Sequence, residues 1–160
     1  MAYTLRAVTD ADRPIAVRFM AALQDHERSI HPSRPPGAEM ADAHLAWLEG
    51  ECAEADGRVD LAWTEKGEAV GLLIYLVEEE DGHHLRPDFA RVGWITDIWI
   101  DPAHRGGPLL DQMLDRAAAH FRGLGLTRLM LAYLDGNDQA RAAYAKRGFE
   151  PFETVMERSL

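Results

Sequence analysis

The chain has 160 residues, of which 47% are hydrophobic and 28% charged, with a formal net charge of −10. That composition describes an ordinary globular protein and excludes disordered or fibrous classes. The length fits one domain, residues 1–160, able to bury roughly two thirds of its unfolded surface around a single core. The acidic balance argues against a nucleic-acid partner, since phosphate binding relies on clustered Lys and Arg.

No apolar run approaches the ~20 residues of a membrane span, so no membrane association is expected. The opening MAYTLRAVTDADR lacks the long apolar segment of a secretory signal. Cys52 is the single cysteine and cannot form an internal disulfide, which fits a reducing, cytoplasmic setting. Charge is unevenly spread: His104–Arg147 holds seven Lys/Arg against four Asp/Glu, and the remainder 10 against 23. A mildly basic half beside a strongly acidic one suits an anionic cofactor on one side and a cation on the other; plain solubilising charge explains it equally well.

In chain order, an initial short strand is expected first. Thr9-Asp10-Ala11-Asp12 then offers capping side chains, with Pro14 in the first turn and Ile15, Phe19, Met20 and Leu23 at helical spacing. His31–Gly37 is a Pro-rich break. A second helix is expected over about Ala38–Ala55, with Met40, His44, Leu45, Trp47 and Leu48 on its apolar side. Val59–Thr64 and Ala69–Val77 read as strands joined at Gly67 in an antiparallel hairpin. Glu78–Asp88 reads as an acidic loop and Arg91–Ile100 as the next strand.

Pro102 stops that strand and Arg105-Gly-Gly-Pro108 turns the chain into a helix with an apolar stripe, Leu109, Leu110, Met113, Leu114, Ala117, Ala118 and Phe121. Gly123 and Gly125 end it. Arg128–Leu134 reads as a buried parallel strand, Asn137 as the cap of a short helix closing at Gly148, and Phe149–Ser159 as a last strand. The order predicts one mixed α/β (α+β) domain, mostly antiparallel with at least one parallel pair, flanked by about four helices.

Two stretches carry chemistry. The Gly-rich strand-to-helix turn around Arg105, Gly106 and Gly107 presents backbone N–H groups beside the positive end of a helix, a geometry suited to pyrophosphate. Such turns also occur merely as tight connections. In the second stretch Tyr144 follows Asn137 by two helical turns on one face, a position that serves packing or catalysis. A zinc site is not expected: His26-Glu27-Arg-Ser-Ile-His31 spaces its histidines one residue too far apart for one helix face. His83-His84 has no cysteines nearby, and Cys52 reads as a helix residue rather than a nucleophile.

Ile98-Trp-Ile-Asp-Pro-Ala-His-Arg-Gly106, an amphipathic helix, a strand, and Asn137-xx-Ala140-xxx-Tyr144-xxx-Gly148-Phe149 together resemble the GNAT acetyltransferase superfamily over about Gly71–Phe149. The resemblance implies an N-acetyltransferase that moves the acetyl group of acetyl-CoA to a primary amine by direct attack in a ternary complex. The acceptor would be a small-molecule amine or a lysine side chain, with no metal, and a homodimer through the last strand is possible. A non-catalytic acyl-CoA-binding or sensing module is the alternative.

The resemblance also implies that Gly93–Ile100 and Arg128–Leu134 splay apart. Coenzyme A would lie against Ile98, Trp99, Ile100, Arg105, Gly106, Gly107, Leu109 and Leu110 on one side, and Asn137, Ala140 and Tyr144 on the other. Tyr144 matches the family's proton donor to the leaving thiolate. The glutamate that many relatives carry ahead of an aspartate is Thr96 here, before Asp97, so the base is left between Asp97 and Glu27. Pro108 removes one N–H from the family's glycine-rich turn and Leu110 replaces a small residue, so weakened coenzyme A binding is expected.

Overall fold

The computed structural model describes residues 2–80 and 82–160. Strand β1 (Tyr3–Ala7) leads into helices α1 (Arg13–Ile30) and α2 (Gly37–Glu54). Strands β2 (Arg58–Thr64), β3 (Ala69–Glu79) and β4 (Arg91–Ile100) follow, then a 3-10 turn at Pro102–His104. Helix α3 (Leu109–Gly123), strand β5 (Leu129–Leu131) and helix α4 (Asp138–Ala145) complete the regular structure.

The sheet order is β1-β2-β3-β4-β5, antiparallel throughout except for the parallel β4–β5 pair. Strand β3 is central, and Val70–Val77 is buried on both faces, which is why its sequence shows no alternation. One face carries α1 and α2 over Leu61, Leu72, Ile74, Leu76 and Trp99; the other carries α3 over Val70, Leu73, Tyr75, Val77 and Ile95. Burial of these side chains supplies the main stabilisation, at about 25 cal/mol per Å² of apolar surface.

Local chemistry fixes how the layers meet. The buried Asp12 accepts two bonds from Arg6, at 2.6 and 3.1 Å, and two more from the backbone and hydroxyl of Thr9. These bonds hold its carboxyl well below the usual carboxylate range, with the Arg6 bonds the largest cause, and tie β1 to the start of α1. The Gly37 amide donates to Asp25 Oδ1 at 2.7 Å, so α1 caps α2. A Cβ at Gly37 would meet the Ala21 carbonyl oxygen at 2.2 Å, so only glycine allows this approach.

Four expectations need correction. Phe149–Ser159 is not a strand: among the described residues the segment beyond Phe149 pairs with no strand of the sheet and is exposed. Strand β5 is three residues long and half-buried, not a buried strand over Arg128–Leu134: among the described residues it pairs with β4 alone, and that ladder stops at Ile95 and Leu131. Glu78 and Glu79 extend β3 by pairing with Val92 and Arg91 and do not belong to a loop; Asp81 lies outside the described residues. Trp47 is 57% exposed and leaves the buried side of α2 to Ala41, Leu45, Leu48 and Cys52.

Candidate active site

The site begins as a fault in the sheet. Ile74 pairs with Asp97 but Tyr75 pairs with Ile95, so Thr96 is an extra residue and β4 bulges there. On the other side the parallel ladder with β5 reaches only Ile95 and Leu131. Beyond that point the strands separate and a cleft of about 190 Å³ opens between Thr96–Ile100 and Ala132–Leu134.

The bulge also shifts the direction of the backbone. Before it, the Gly93 amide donates to Arg128 on the β5 side, at 3.1 Å. After it, the Asp101 amide donates to Val70 of β3 while the Ile100 carbonyl accepts from Arg105 Nε, both at 2.9 Å. Alternation then points the backbone groups of Ile98 and Ile100 into the cleft and those of Asp97 and Trp99 toward β3. The Trp99 side chain is buried on the α1–α2 face, and its indole N–H donates to Asp101 at 3.2 Å.

At one end the cleft is closed by the turn into α3. Gly106 has φ +76°, a conformation that favours glycine. Pro108 occupies the cap position of α3, where a missing N–H costs little. Among the described residues the amides of Gly106 and Gly107 have no hydrogen-bond acceptor, and both residues line the cleft. The Arg105 guanidinium stacks on Trp99, 4.8 Å from the ring centroid. Leu110 faces the cleft, whereas the Leu109 side chain is fully buried under α3, so only its amide is available there.

Helix α4 forms the opposite wall. Asn137 Oδ1 accepts from the Ala140 amide at 3.1 Å, so this side chain caps the helix. Ala140, Ala143 and Tyr144 line the cleft. The Tyr144 ring packs edge-on to Phe149, 5.9 Å away, and tilted against Tyr133 at 6.2 Å. Burial pushes its phenol up to about 12, partly offset by Arg147, so the hydroxyl keeps its proton at neutral pH. Gly148 (φ +81°) ends this segment.

A second cleft, of about 640 Å³, lies between α1, α2 and the β3–β4 face. Leu23, Glu27, Thr96 and Asp97 line both clefts, so the two meet at those side chains. Glu27 forms an ion pair with Arg34 at 2.8 Å. Burial raises the Asp97 carboxyl, with smaller opposing effects from Thr96, His44 and Arg34 and a further raising effect from Glu27.

The structure therefore gathers Glu27, Asp97, Ile98, Ile100, Arg105, Gly106, Gly107, Leu110, Asn137, Ala140 and Tyr144 around one continuous cavity. The sequence reading missed the second cleft and Arg34. The Pro-rich break after α1 hinted at neither, because Arg34 reaches the site only once α1 and α2 pack together. Cys52 is buried and its thiol is pushed up to about 11, chiefly by burial, which leaves no reactive thiolate. Among the described residues no group of three or more His, Cys, Asp or Glu side chains is placed to hold a metal ion, and no helix is long and apolar enough to cross a membrane.

Comparison with known proteins agrees with this architecture. No curated protein sequence matches significantly. Among solved structures, a tetramutant of a Bacillus halodurans protein superposes with a TM-score of 0.82 at 15% identity, covering 98% of this chain and 99% of that one. The aminoglycoside 6′-N-acetyltransferase AAC(6′)-Ig of Acinetobacter haemolyticus gives 0.71 at 18% identity, covering 98% and 97%. AAC(6′)-Iy, solved with the bisubstrate analogue CoA-S-monomethyl-acetylneamine, gives 0.69 at 17% identity, covering 100% and 99%. These likenesses show a shared fold. The family model for the acetyltransferase (GNAT) family matches residues 18–149, and the chain belongs to that family of acetyltransferases.

Proposed function

We propose that this chain transfers the acetyl group of acetyl-CoA to a primary amine by direct attack within a ternary complex. The observation that carries the reading is the junction at Glu27 and Asp97, where a cleft lined by free backbone amides meets a second, acidic cleft. Each substrate has its own entrance, and the two meet at groups able to take a proton.

The residues present fit coenzyme A. The unpaired amides of Gly106 and Gly107, at the positive end of α3, suit a pyrophosphate. Arg105 adds a cation beside them, and the first-turn amides of Leu109 and Leu110 extend the cradle. The backbone groups of Ile98 and Ile100 would hold the pantetheine as an added strand would be held, with Trp99 supporting Arg105 from behind. Asn137 and Ala140 form the facing wall. When bound, acetyl-CoA supplies an acyl carbon activated as a thioester.

This chain's own groups do the rest. Glu27 and Asp97 attract the ammonium form of the acceptor, whose ordinary pKa is near 10. Asp97, raised by burial, takes its proton, since a base is most effective when its pKa approaches the working pH. A cleft-facing N–H of β4 polarises the acyl oxygen. Tyr144, still protonated, donates to the departing sulfur.

Cys52, reduced and buried, supports a cytoplasmic location. The proposed homodimer has no paired last strand to use; the exposed apolar side chains of Phe152, Val155 and Met156 are the surface it would cover.

Calorimetric titration with acetyl-CoA and with desulfo-CoA, followed by thiol release with a panel of amines, tests the reading. One-site micromolar binding with amine-dependent thiol release is expected. Binding with no turnover on any amine would point to an acyl-CoA-binding module, and no binding at millimolar ligand would end the assignment.

A further inference from the structure

The second cleft is more acidic than proton abstraction requires. Its lining includes the carboxylates of Glu27, Glu51, Glu78, Glu79 and Asp97 against a single guanidinium, Arg34, which already pairs with Glu27. Among the described residues Glu51, Glu78 and Glu79 form no ion pair and no side-chain hydrogen bond, whereas Asp97 has Thr96 beside it. Between these charges the lining also includes the apolar side chains of Trp94, Leu76, Met40 and Trp47, the last stacked on His44.

The register gives this cleft a length. Asp97 lies opposite Ile74 and Val92 lies opposite Glu78, so Glu78 stands four residues further along β3. At ~3.3 Å per residue the two carboxylates are separated by roughly 13 Å along the strand. Both belong to the same face: Ile74, Leu76 and Trp99 pack against α1 and α2, and alternation places Glu78 and Asp97 with them. Asp97 sits at the junction with the first cleft and Glu78 at the far rim.

We infer that the acceptor is a linear polyamine: one terminal ammonium at Glu27 and Asp97, a methylene chain along Trp94 and Leu76, and a second cation at Glu78, with Glu79 adding negative charge at the strand end. This inference rests on the acetyl-transfer reading for its reaction, but the site it describes is a binding site in its own right. A simple monoamine would leave the distal carboxylates unmatched. A chain of apolar methylenes ending in cations matches both the floor of the cleft and its two ends.

The test compares spermine, putrescine and butylamine as acceptors, and a neutral peptide carrying one lysine, using wild type and the double variant E78Q/E79Q. A charge-assisted contact at the distal end predicts that spermine exceeds putrescine and butylamine in kcat/KM by about tenfold or more. In E78Q/E79Q that preference falls about tenfold, mainly through KM for spermine. These glutamates are exposed at the end of β3, so the variant is expected to fold.

Equal use of the amines, an unchanged preference in E78Q/E79Q, or preference for the peptide would overturn the inference. Calorimetry of spermine with the desulfo-CoA complex separates the two readings. Spermine binding that E78Q/E79Q weakens, with no amine acetylated, upholds the site and removes the reaction. Thiol release with other amines, and no spermine binding, does the reverse.

Discussion

Asp111 and Arg147 join the first turn of α3 to the end of α4: Arg147 Nε donates to Asp111 Oδ1 at 2.5 Å, and a guanidinium nitrogen donates to Oδ2 at 3.0 Å. A third bond runs from Arg147 to the Ala143 carbonyl at 2.9 Å. The two walls of the first cleft are thus linked through one guanidinium three residues after Tyr144. Arg147→Ala is expected to raise KM for acetyl-CoA and lower kcat, because α4 loses its tie to α3. Asp111 is 54% exposed, so thermal stability should fall by less than about 1 kcal/mol. Kinetics alongside thermal denaturation would show whether the link serves geometry, as argued, or stability.

Tyr144→Phe removes the proposed proton donor and keeps the ring contacts with Tyr133 and Phe149. A positioned general acid contributes about 10²–10⁴-fold, so kcat should drop by that amount with little change in acetyl-CoA affinity. With the phenol held near 12, wild-type activity should show no descending limb from Tyr144 below about pH 10. If kcat is retained in the variant, the tyrosine serves packing only.

Asp97 carries a linked pair of signs. Its folded pKa is raised, so the folded protein binds the proton more tightly than the unfolded chain. Stability therefore falls as pH rises from the unfolded carboxylate value through the folded one. Asp97→Asn should raise the melting temperature above that window while lowering kcat/KM and removing the ascending limb of its pH profile. Glu27→Gln, which breaks the pair with Arg34, should act chiefly on KM for the amine. A pH series of both measurements on both variants checks the assignment.

The turn into α3 offers a gain-of-function test. Pro108 has no N–H and Leu110 projects a large side chain into the cleft. Pro108→Gly with Leu110→Gly should tighten coenzyme A binding severalfold, read by calorimetry, at a cost to α3 of about 1 kcal/mol for the helical glycine. Unchanged affinity would show that the proline and leucine do not limit the cradle.

Gly93 lies where β4 meets β5, and a Cβ there would sit 2.3 Å from the Phe121 ring. Gly93→Ala should cost about 1–3 kcal/mol through overpacking, seen as a lower denaturation midpoint in urea. Because β5 is so short, the same change should also raise KM for acetyl-CoA.

Local pattern determined much of this protein. The stripe from Leu109 to Phe121 specified α3, the unbroken apolar run of Val70–Val77 specified a strand buried on both faces, and Asn137 and Gly148 bracketed α4. The resemblance singled out the turn at Arg105–Gly107 and Tyr144, which line one cleft. Each of these signals depends on residues within a few turns or one strand of one another.

Tertiary structure decided the rest, because strand partners and helix contacts are set by distant residues. Thr96 becomes a bulge only through the register of β3 against β4, and that bulge turns the Ile98 and Ile100 backbone into the cleft. Phe149–Ser159 carries the aromatic and apolar residues of a strand but, among the described residues, meets no edge to pair with. Trp47 and His44 keep helical spacing yet line a cleft, since Ala41, Leu45 and Leu48 already fill the contact of α2 with the sheet. Asp97 and Glu27, 70 residues apart in sequence, meet because α1 crosses β4 where the sheet opens, and burial there alters the acidity of Asp97 in a way no local pattern encodes.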